Sequence, residues 1–224
     1  MTRLIAVVEG QTEAAFVRDV LAPHLDDLGV WTSATVVGKV IAERRGHRER
    51  GGGSFGGWRA DLVRCLRNDR SDDLRVTTMF DLYVLLPDFP GVDSPAVGDA
   101  SLRCEALEDA LAAAIGDRRL IPYVQRDEFE ALVLAALPSL RGLLDADDDL
   151  EGVDALAREV HGLPPEDVNG GQETAPSKRI LRCVPGYSKT LHGPLVTLDA
   201  GLVALRAACP RFGTWVARLE ALGA

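Results

Sequence analysis

One stretch near the start of the chain decides its fold: Leu4-Ile5-Ala6-Val7-Val8-Glu9-Gly10-Gln11-Thr12-Glu13. Residues 4–8 form a short apolar run rich in β-branched side chains, which is typical of a buried parallel strand. A turn at Gly10 follows, and Thr12 is placed to cap a helix whose first turn contains Glu13. A strand, a glycine turn and a helix in this order predict the opening of an α/β unit.

The same alternation continues through the first 137 residues. Runs of apolar and β-branched residues predict further strands over residues 30–41, 75–86 and 120–125. The helical spacing of apolar residues predicts helices over residues 58–66, 101–115 and 127–137. Four strands alternating with helices predict an α/β fold, Rossmann-like, with a four-stranded parallel sheet and helices on both faces.

The chain changes character after an acidic stretch at residues 145–149. Short helical patterns dominate there, so we expect residues 1–137 to form an α/β domain and residues 138–224 a mainly helical C-terminal extension packed on it. The charged and glycine-rich residues 43–57 predict an exposed, mobile loop. This loop is not a Walker A loop, because the Gly-Lys-Ser/Thr ending is missing.

The composition is that of a globular protein with an acidic balance. The 224 residues are 46% hydrophobic and carry a formal net charge of -9, which argues against non-specific coating of nucleic acid but leaves room for a local basic groove. No apolar run approaches the roughly 18 residues that cross a bilayer, and no signal peptide is evident, so we expect a cytoplasmic protein without a membrane partner. The four singly spaced cysteines indicate neither a zinc site nor a disulfide framework.

Acidic residues follow the predicted strands, at the edge of the sheet where ligands collect in open α/β folds. They are Glu9 with Glu13, Asp81 with Asp88, and Glu128 with Glu130. A charged Asp81 inside an apolar strand costs several kcal/mol unless it is paired or coordinated. Mg²⁺ or Mn²⁺ would relieve the repulsion between such carboxylates. The alternative is that Glu9 and Glu13 only favour a helix N-terminus and that Asp81 only accepts backbone hydrogen bonds.

A second feature is a basic stretch in an otherwise acidic chain. No acid occurs between Glu173 and Asp199, whereas five basic or titratable residues do: Lys178, Arg179, Arg182, Lys189 and His192. Cations beside a metal-binding carboxylate cluster suit a phosphodiester substrate. We therefore expect a phosphate-binding wall made of Lys178, Arg179, Lys189 and His192. The alternative is a solvated basic helix face that balances the acidic stretch.

Five motifs occur in order along the chain, at residues 7–13, 79–83 with 87–91, 128–132, 173–180 and 184–187. Together they closely resemble a bacterial family with a Toprim-like domain, domain of unknown function 4276, nearly end to end. In Toprim domains a Glu after the first strand and an Asp-x-Asp after a later strand form a Mg²⁺-dependent centre. The resemblance therefore implies a Toprim-like fold in which Glu9 and Asp81 are these acids and Glu13 is an additional one.

Tyr83 departs from the Toprim pattern, because it stands where the second aspartate is expected. Asp88 could supply the missing ligand if the turn folds back, and Glu128 or Glu130 could supply it from the adjacent strand end.

The resemblance implies a Mg²⁺- or Mn²⁺-dependent nuclease of the overcoming-lysogenization-defect type, which hydrolyses phosphodiester bonds of DNA or RNA. The residues assigned to catalysis are Glu9, Asp81 and Glu128, and those assigned to metal are Glu9, Glu13, Asp81 and Asp88. By analogy, the expected partners are nucleic acid and an ABC-type ATPase, in defence against phage; a homodimer stays open. The alternative function is a non-catalytic Toprim-like module that binds nucleic acid, nucleotide or a partner ATPase.

Overall fold

The computed structural model describes residues 1–44, 47–51, 53–69, 71–94, 99–168, 171 and 174–224, and of residues 39–44, 47–51 and 84 it describes the backbone. The strands are β1 (Thr2–Val8), β2 (Val30–Val36), β3 (Lys39–Arg44), β4 (His47–Gly51), β5 (Leu74–Asp81), β6 (Leu120–Ile121) and β7 (Val124–Gln125). The helices are α1 (Gln11–Phe16), α2 (Ala22–Asp26), α3 (Phe55–Asn68), α4 (Ala100–Ile115), α5 (Glu130–Leu134), α6 (Leu137–Gly142), α7 (Asp147–Glu159), α8 (Pro176–Cys183), α9 (Lys189–Ala208) and α10 (Pro210–Glu220). A π-helical segment, Val17–Leu21, joins α1 to α2.

The main sheet is parallel throughout, with the strand order β2-β1-β5-β6. β7 pairs with β5 beyond β6, so the two short strands share one position in the sheet. Pro122 separates them because it has no N–H to donate to the ladder. The Thr78 hydroxyl spans this break, since it donates to the Tyr123 carbonyl and accepts from the Tyr123 N–H, both at 2.8 Å. The predicted four-stranded parallel sheet is confirmed.

Helices cover both faces of this sheet, as predicted. The β1 side chains alternate between two apolar clusters because successive residues of a strand point to opposite faces. Leu4, Ala6 and Val8 belong to the cluster shared with α1, α9 and α10. Val7 belongs to the cluster formed with α3 and α4.

The C-terminal helices are built into the first of these clusters. α9 packs against α1 and α10, and the Trp215 indole of α10 stacks on the Tyr123 ring with centroids 4.5 Å apart. The indole Nε1 also donates to the Thr77 hydroxyl of β5 at 2.9 Å. The predicted mainly helical C-terminal extension is confirmed, whereas the division of the chain at residue 137 stays a prediction.

Several predicted boundaries shift. α1 begins at Gln11 after Gly10, and Thr12 lies inside the helix rather than at its cap. The strand predicted to end at residue 86 ends at Asp81. The loop predicted over residues 43–57 is wrong where the structure shows regular elements: β3 and β4 pair antiparallel and α3 already begins at Phe55. Residues 45–46 and 52 of the predicted loop lie outside the described residues. The pairing satisfies the backbone hydrogen bonds of a stretch whose charge and glycine content resemble those of irregular structure.

Across the described residues, the helices are too short or too polar to span a lipid bilayer.

We predict that Trp215→Ala lowers the free energy of unfolding by about 3–5 kcal/mol, because it leaves a large cavity and removes the hydrogen bond that the indole donates to the Thr77 hydroxyl. Val203→Ala is the control, since that side chain is 87% exposed and its loss should change stability by less than about 0.5 kcal/mol. Urea unfolding, followed by circular dichroism and tryptophan fluorescence, measures the free energy of unfolding of both variants. Separate transitions for the two probes would contradict a core shared by the sheet and the C-terminal helices.

Candidate functional site

Three carboxylates from three elements surround the Lys189 ammonium at the start of α9. Its Nζ lies 3.0 Å from Glu130 Oε2, 3.7 Å from Asp81 Oδ2 and 3.9 Å from Glu13 Oε1. Glu9 joins them, because its Oε1 accepts the backbone N–H of Asp81 at 2.8 Å. Glu9 follows β1, Asp81 ends β5 and Glu130 opens the helix after β7, so the cluster lies at the carboxyl edge of the parallel sheet. We call these four acids the carboxylate cluster.

Three acids of the carboxylate cluster are buried and Glu9 is half-buried, and the cluster carries more negative than positive charge. The Glu130 side chain is 0% exposed and those of Glu13 and Asp81 only 5% and 6%, while Lys189 is 40% exposed. Four carboxylates thus share one ammonium as their close counter-ion within the described part of the chain. A buried excess of negative charge is unfavourable unless it is neutralised by protons or by another cation.

The pKa values reflect this environment. Burial and the charges of Asp81 and Glu13 raise the pKa of Glu9 well above its usual value. Burial also raises the pKa of Asp81, and Lys189 lowers it by less. The pKa of Glu130 is raised, again mainly by burial.

Lys189 shows the opposite balance. Burial lowers its pKa, but Asp81, Glu130 and Glu13 raise it by more, so the ammonium stays charged.

Three buried polar atoms around Lys189 have no hydrogen-bond partner among the described residues: Asp81 Oδ1, Glu130 Oε1 and the Tyr187 hydroxyl. Burial, together with the charge of Glu130, raises the pKa of Tyr187, so this hydroxyl keeps its proton. Tyr187 lies two residues before Lys189, and its place in the motif at residues 184–187 was the signal that could have found it. Buried polar atoms without partners are uncommon and call for a ligand, a water or an ion.

The cluster suits a hard divalent cation in its chemistry, because its donors are carboxylate oxygens and two of them are buried and unpaired. However, no group of three or more His, Cys, Asp or Glu side chains in the described part of the chain is arranged to hold a metal ion. The Lys189 ammonium stands between the carboxylates. A cation could therefore bind only if these side chains turn toward one another.

The backbone that presents Glu130 is locally strained. Asp127 adopts a left-handed conformation with φ of 62°, the single non-glycine case among the described residues. Its carbonyl accepts the Tyr83 N–H at 3.0 Å, which ties the segment after β7 to the end of β5. Such strain persists where the surroundings hold it in place, and it is frequent at functional sites.

Gly193 allows α9 to bring Lys189 to the cluster. A Cβ at this position would lie 3.1 Å from both Phe129 Cε1 and Thr12 Cγ2. A Cβ here would require these two side chains to shift by a few tenths of an ångström. Glycine therefore favours the close approach of the α9 backbone to these side chains.

Two predicted acids are engaged elsewhere. Glu128 accepts the Ser177 N–H at 2.9 Å and the Ser177 hydroxyl at 3.0 Å, so it caps α8. Both oxygens of Asp88 lie 2.9 Å from the Phe55 N–H at the start of α3. The structure thus brings together Glu9, Glu13 and Asp81 but gives Asp88 a capping contact instead of a place around Lys189.

The predicted phosphate-binding residues are also divided. Lys189 contacts three acids of the carboxylate cluster, and the ring of His192 lies 5.8 Å from that of Tyr187. His192 Nδ1 accepts the Ser188 N–H at 2.9 Å, which leaves Nε2 to carry the proton of the neutral ring. Arg179 instead forms an ion pair with Glu159, and Lys178 is exposed on α8.

The chain belongs to the family described as Domain of unknown function (DUF4276), which matches residues 8–220. No curated protein matches the chain significantly. Among solved structures, it is similar to the C-terminal region of the Burkholderia pseudomallei OLD protein, at 15% identity and a TM-score of 0.49 over 100% of both chains. It is also similar to the C-terminal region of the Xanthomonas campestris pv. campestris OLD protein, at 18% identity and a TM-score of 0.41 over 97% of this chain and 95% of that one.

We predict that Lys189→Met destabilises the metal-free protein by about 1–3 kcal/mol, because it leaves the buried Glu130 carboxylate without its donor. Lys178→Met removes the same group from an exposed position and should change stability by less than about 0.5 kcal/mol. Urea unfolding in the presence of EDTA compares the two variants with the wild type. Equal stability of all three proteins would show that Lys189 does not neutralise the cluster.

Proposed function

We propose that the protein is a divalent-metal-dependent nuclease of the Toprim type that hydrolyses phosphodiester bonds of DNA or RNA. The observation that carries the proposal is the carboxylate cluster, with its excess of buried negative charge and its unpaired oxygens. The resemblance of its sequence motifs to a family with a Toprim-like domain supports the same function. The substrate class follows from the chemistry, because carboxylate-bound metal and a nearby ammonium together suit a reacting phosphate.

Each residue of the cluster has a role in this proposal. Glu9, Glu13 and Asp81 would hold Mg²⁺ or Mn²⁺, which when bound lowers the pKa of the attacking water and neutralises charge on the phosphate. Glu130 holds the Lys189 ammonium at 3.0 Å, and the partly exposed ammonium can donate to a phosphate oxygen. Glu128 acts on the site through α8, which it caps, rather than as a group that touches the substrate.

We assign to His192 a role in contacting the substrate at the outer part of the site. Its tautomer is fixed by the Ser188 N–H, so its Nε2–H can donate to a phosphate or to a leaving oxygen. The roles of Lys178 and Arg179 as phosphate ligands stay predictions. The cytoplasmic location, the ABC-type ATPase partner, the homodimer and the part in phage defence rest on sequence and analogy alone.

One alternative function is supported by specific observations. A non-catalytic module would bind nucleic acid, nucleotide or a partner ATPase through the same fold. Tyr83 in place of the second aspartate favours it, as does the ammonium that stands where a cation would bind. The two functions differ in whether the cluster binds metal and whether substrate is cleaved.

We predict that Mn²⁺ binds the wild-type protein and that Glu9→Gln or Asp81→Asn weakens this binding at least about tenfold, because each removes a charged oxygen ligand. Asp88→Asn is the matched control. It removes the same kind of group from a residue whose oxygens contact Phe55, so metal affinity should be unchanged. Calorimetric titration of the EDTA-stripped wild type and the three variants measures their affinity for Mn²⁺. Loss of affinity in Asp88→Asn alone would place the metal elsewhere.

We predict that cleavage of DNA or RNA requires Mg²⁺ or Mn²⁺, stops with EDTA and falls at least about 100-fold in Asp81→Asn, because the reacting phosphate loses its metal. Asp88→Asn should keep its activity. Assays with labelled single- and double-stranded DNA and RNA show which of these substrates is cleaved. A wild-type protein that binds substrate and metal but cleaves none of these substrates would support the non-catalytic module.

A further inference from the structure

The β3–β4 hairpin rises from the same edge of the sheet as the carboxylate cluster. On its entry side, the Val37 N–H donates to the carbonyl of Val8 at 2.9 Å, one residue before Glu9. The Gly38 N–H then donates to Asp61 Oδ2 of α3 at 3.1 Å. The base of the hairpin is therefore anchored beside the end of β1.

The chain that leaves the hairpin after β4 is also held by a hydrogen bond to the segment that follows β5. After β4 the chain enters α3 at Phe55, whose N–H contacts both oxygens of Asp88 at 2.9 Å. Asp88 follows Asp81, the last residue of β5, by seven positions in the sequence. The hairpin thus begins beside the end of β1, and the helix that follows it contacts the segment after β5.

The hairpin is basic within an acidic protein. Its two strands contain four cationic residues and two acidic ones, and the cations are Lys39, Arg44, Arg48 and Arg50. The strand register sets Glu43 opposite Arg48, whereas Arg44 is opposite His47 and Arg50 is opposite Val40. The two strands therefore carry two more cationic positions than acidic ones, in a chain whose net charge is -9.

A polyanion approaching the carboxylate cluster needs cations at this edge. Arg179 and Arg182 of α8 both pair with Glu159, and Lys189 already contacts three carboxylates. Backbone phosphates are recognised by Lys and Arg placed along the path of the strand. The hairpin supplies such residues at the edge where the reaction would occur.

We propose that the β3–β4 hairpin is an arm that binds the phosphate backbone of nucleic acid and holds it against the carboxylate cluster. This inference rests on the proposed function for its substrate class. The arm contacts phosphates rather than bases, so it binds without regard to sequence. Binding needs no metal, because the attraction comes from the hairpin itself.

The test compares two variants with the same change of net charge. Arg44→Gln/Arg48→Gln/Arg50→Gln removes three of the hairpin cations, and Arg18→Gln/Arg67→Gln/Arg118→Gln removes three exposed arginines in other parts of the fold. Binding of labelled DNA and RNA, single- and double-stranded, is measured in EDTA between about 50 and 200 mM salt. The hairpin variant should bind all sequences more weakly, with a salt slope lower by about one for each lost phosphate contact, about three in total. The other variant should keep most of the wild-type affinity and slope.

Further measurements keep the result interpretable. Arg44→Lys/Arg48→Lys/Arg50→Lys should restore binding, and unchanged thermal melting of the hairpin variant shows that it folds. Equal weakening in both charge-neutralised variants, wild-type slope in the hairpin variant, or a wild-type protein that binds no nucleic acid would overturn the proposal. Stronger binding to polyglutamate than to nucleic acid would do the same, because it would identify an acidic protein as the partner. Hairpin-dependent binding without cleavage in Mg²⁺ or Mn²⁺ would support the arm while contradicting the nuclease function.

Discussion

The contact between the Lys189 ammonium and the carboxylates of Glu13, Asp81 and Glu130 is the interaction on which the candidate site depends. The acids belong to α1, β5 and α5, whereas the ammonium comes from α9, far along the chain. The C-terminal helices therefore supply the counter-ion of the acidic edge of the sheet. Gly193 permits that close approach, and the stack of Trp215 on Tyr123 fixes the neighbouring helix to the sheet.

The same edge holds features that a protein selected only for stability would avoid. Buried carboxylates outnumber their counter-ion, three buried polar atoms have no hydrogen-bond partner within the described part of the chain, and Asp127 adopts a left-handed backbone conformation. Local departures from favourable packing and pairing are expected at functional sites, where the rest of the structure compensates for them. Here the compensation is an apolar core on each face of the sheet, which holds the strand ends in place.

Much of this arrangement could be predicted from the sequence, and the exceptions have physical reasons. The β-branched run before Glu9 and the lone aspartate in an apolar strand point directly to β1, β5 and the edge they share. Spacing along the chain could not show that Glu128 and Asp88 would meet the free N–H groups of α8 and α3, because such contacts depend on tertiary packing. Lys189 was expected at a phosphate, yet its contacts with carboxylates follow only from the docking of α9.

Diffraction from crystals soaked in Mn²⁺ tests the central claim most directly. We expect anomalous density within about 2.5 Å of oxygens of Glu9, Glu13 or Asp81, with the Lys189 ammonium moved away from its position among the carboxylates. Crystals soaked in the same way that show Lys189 still between Asp81 and Glu130, with no anomalous density at the cluster, would contradict it.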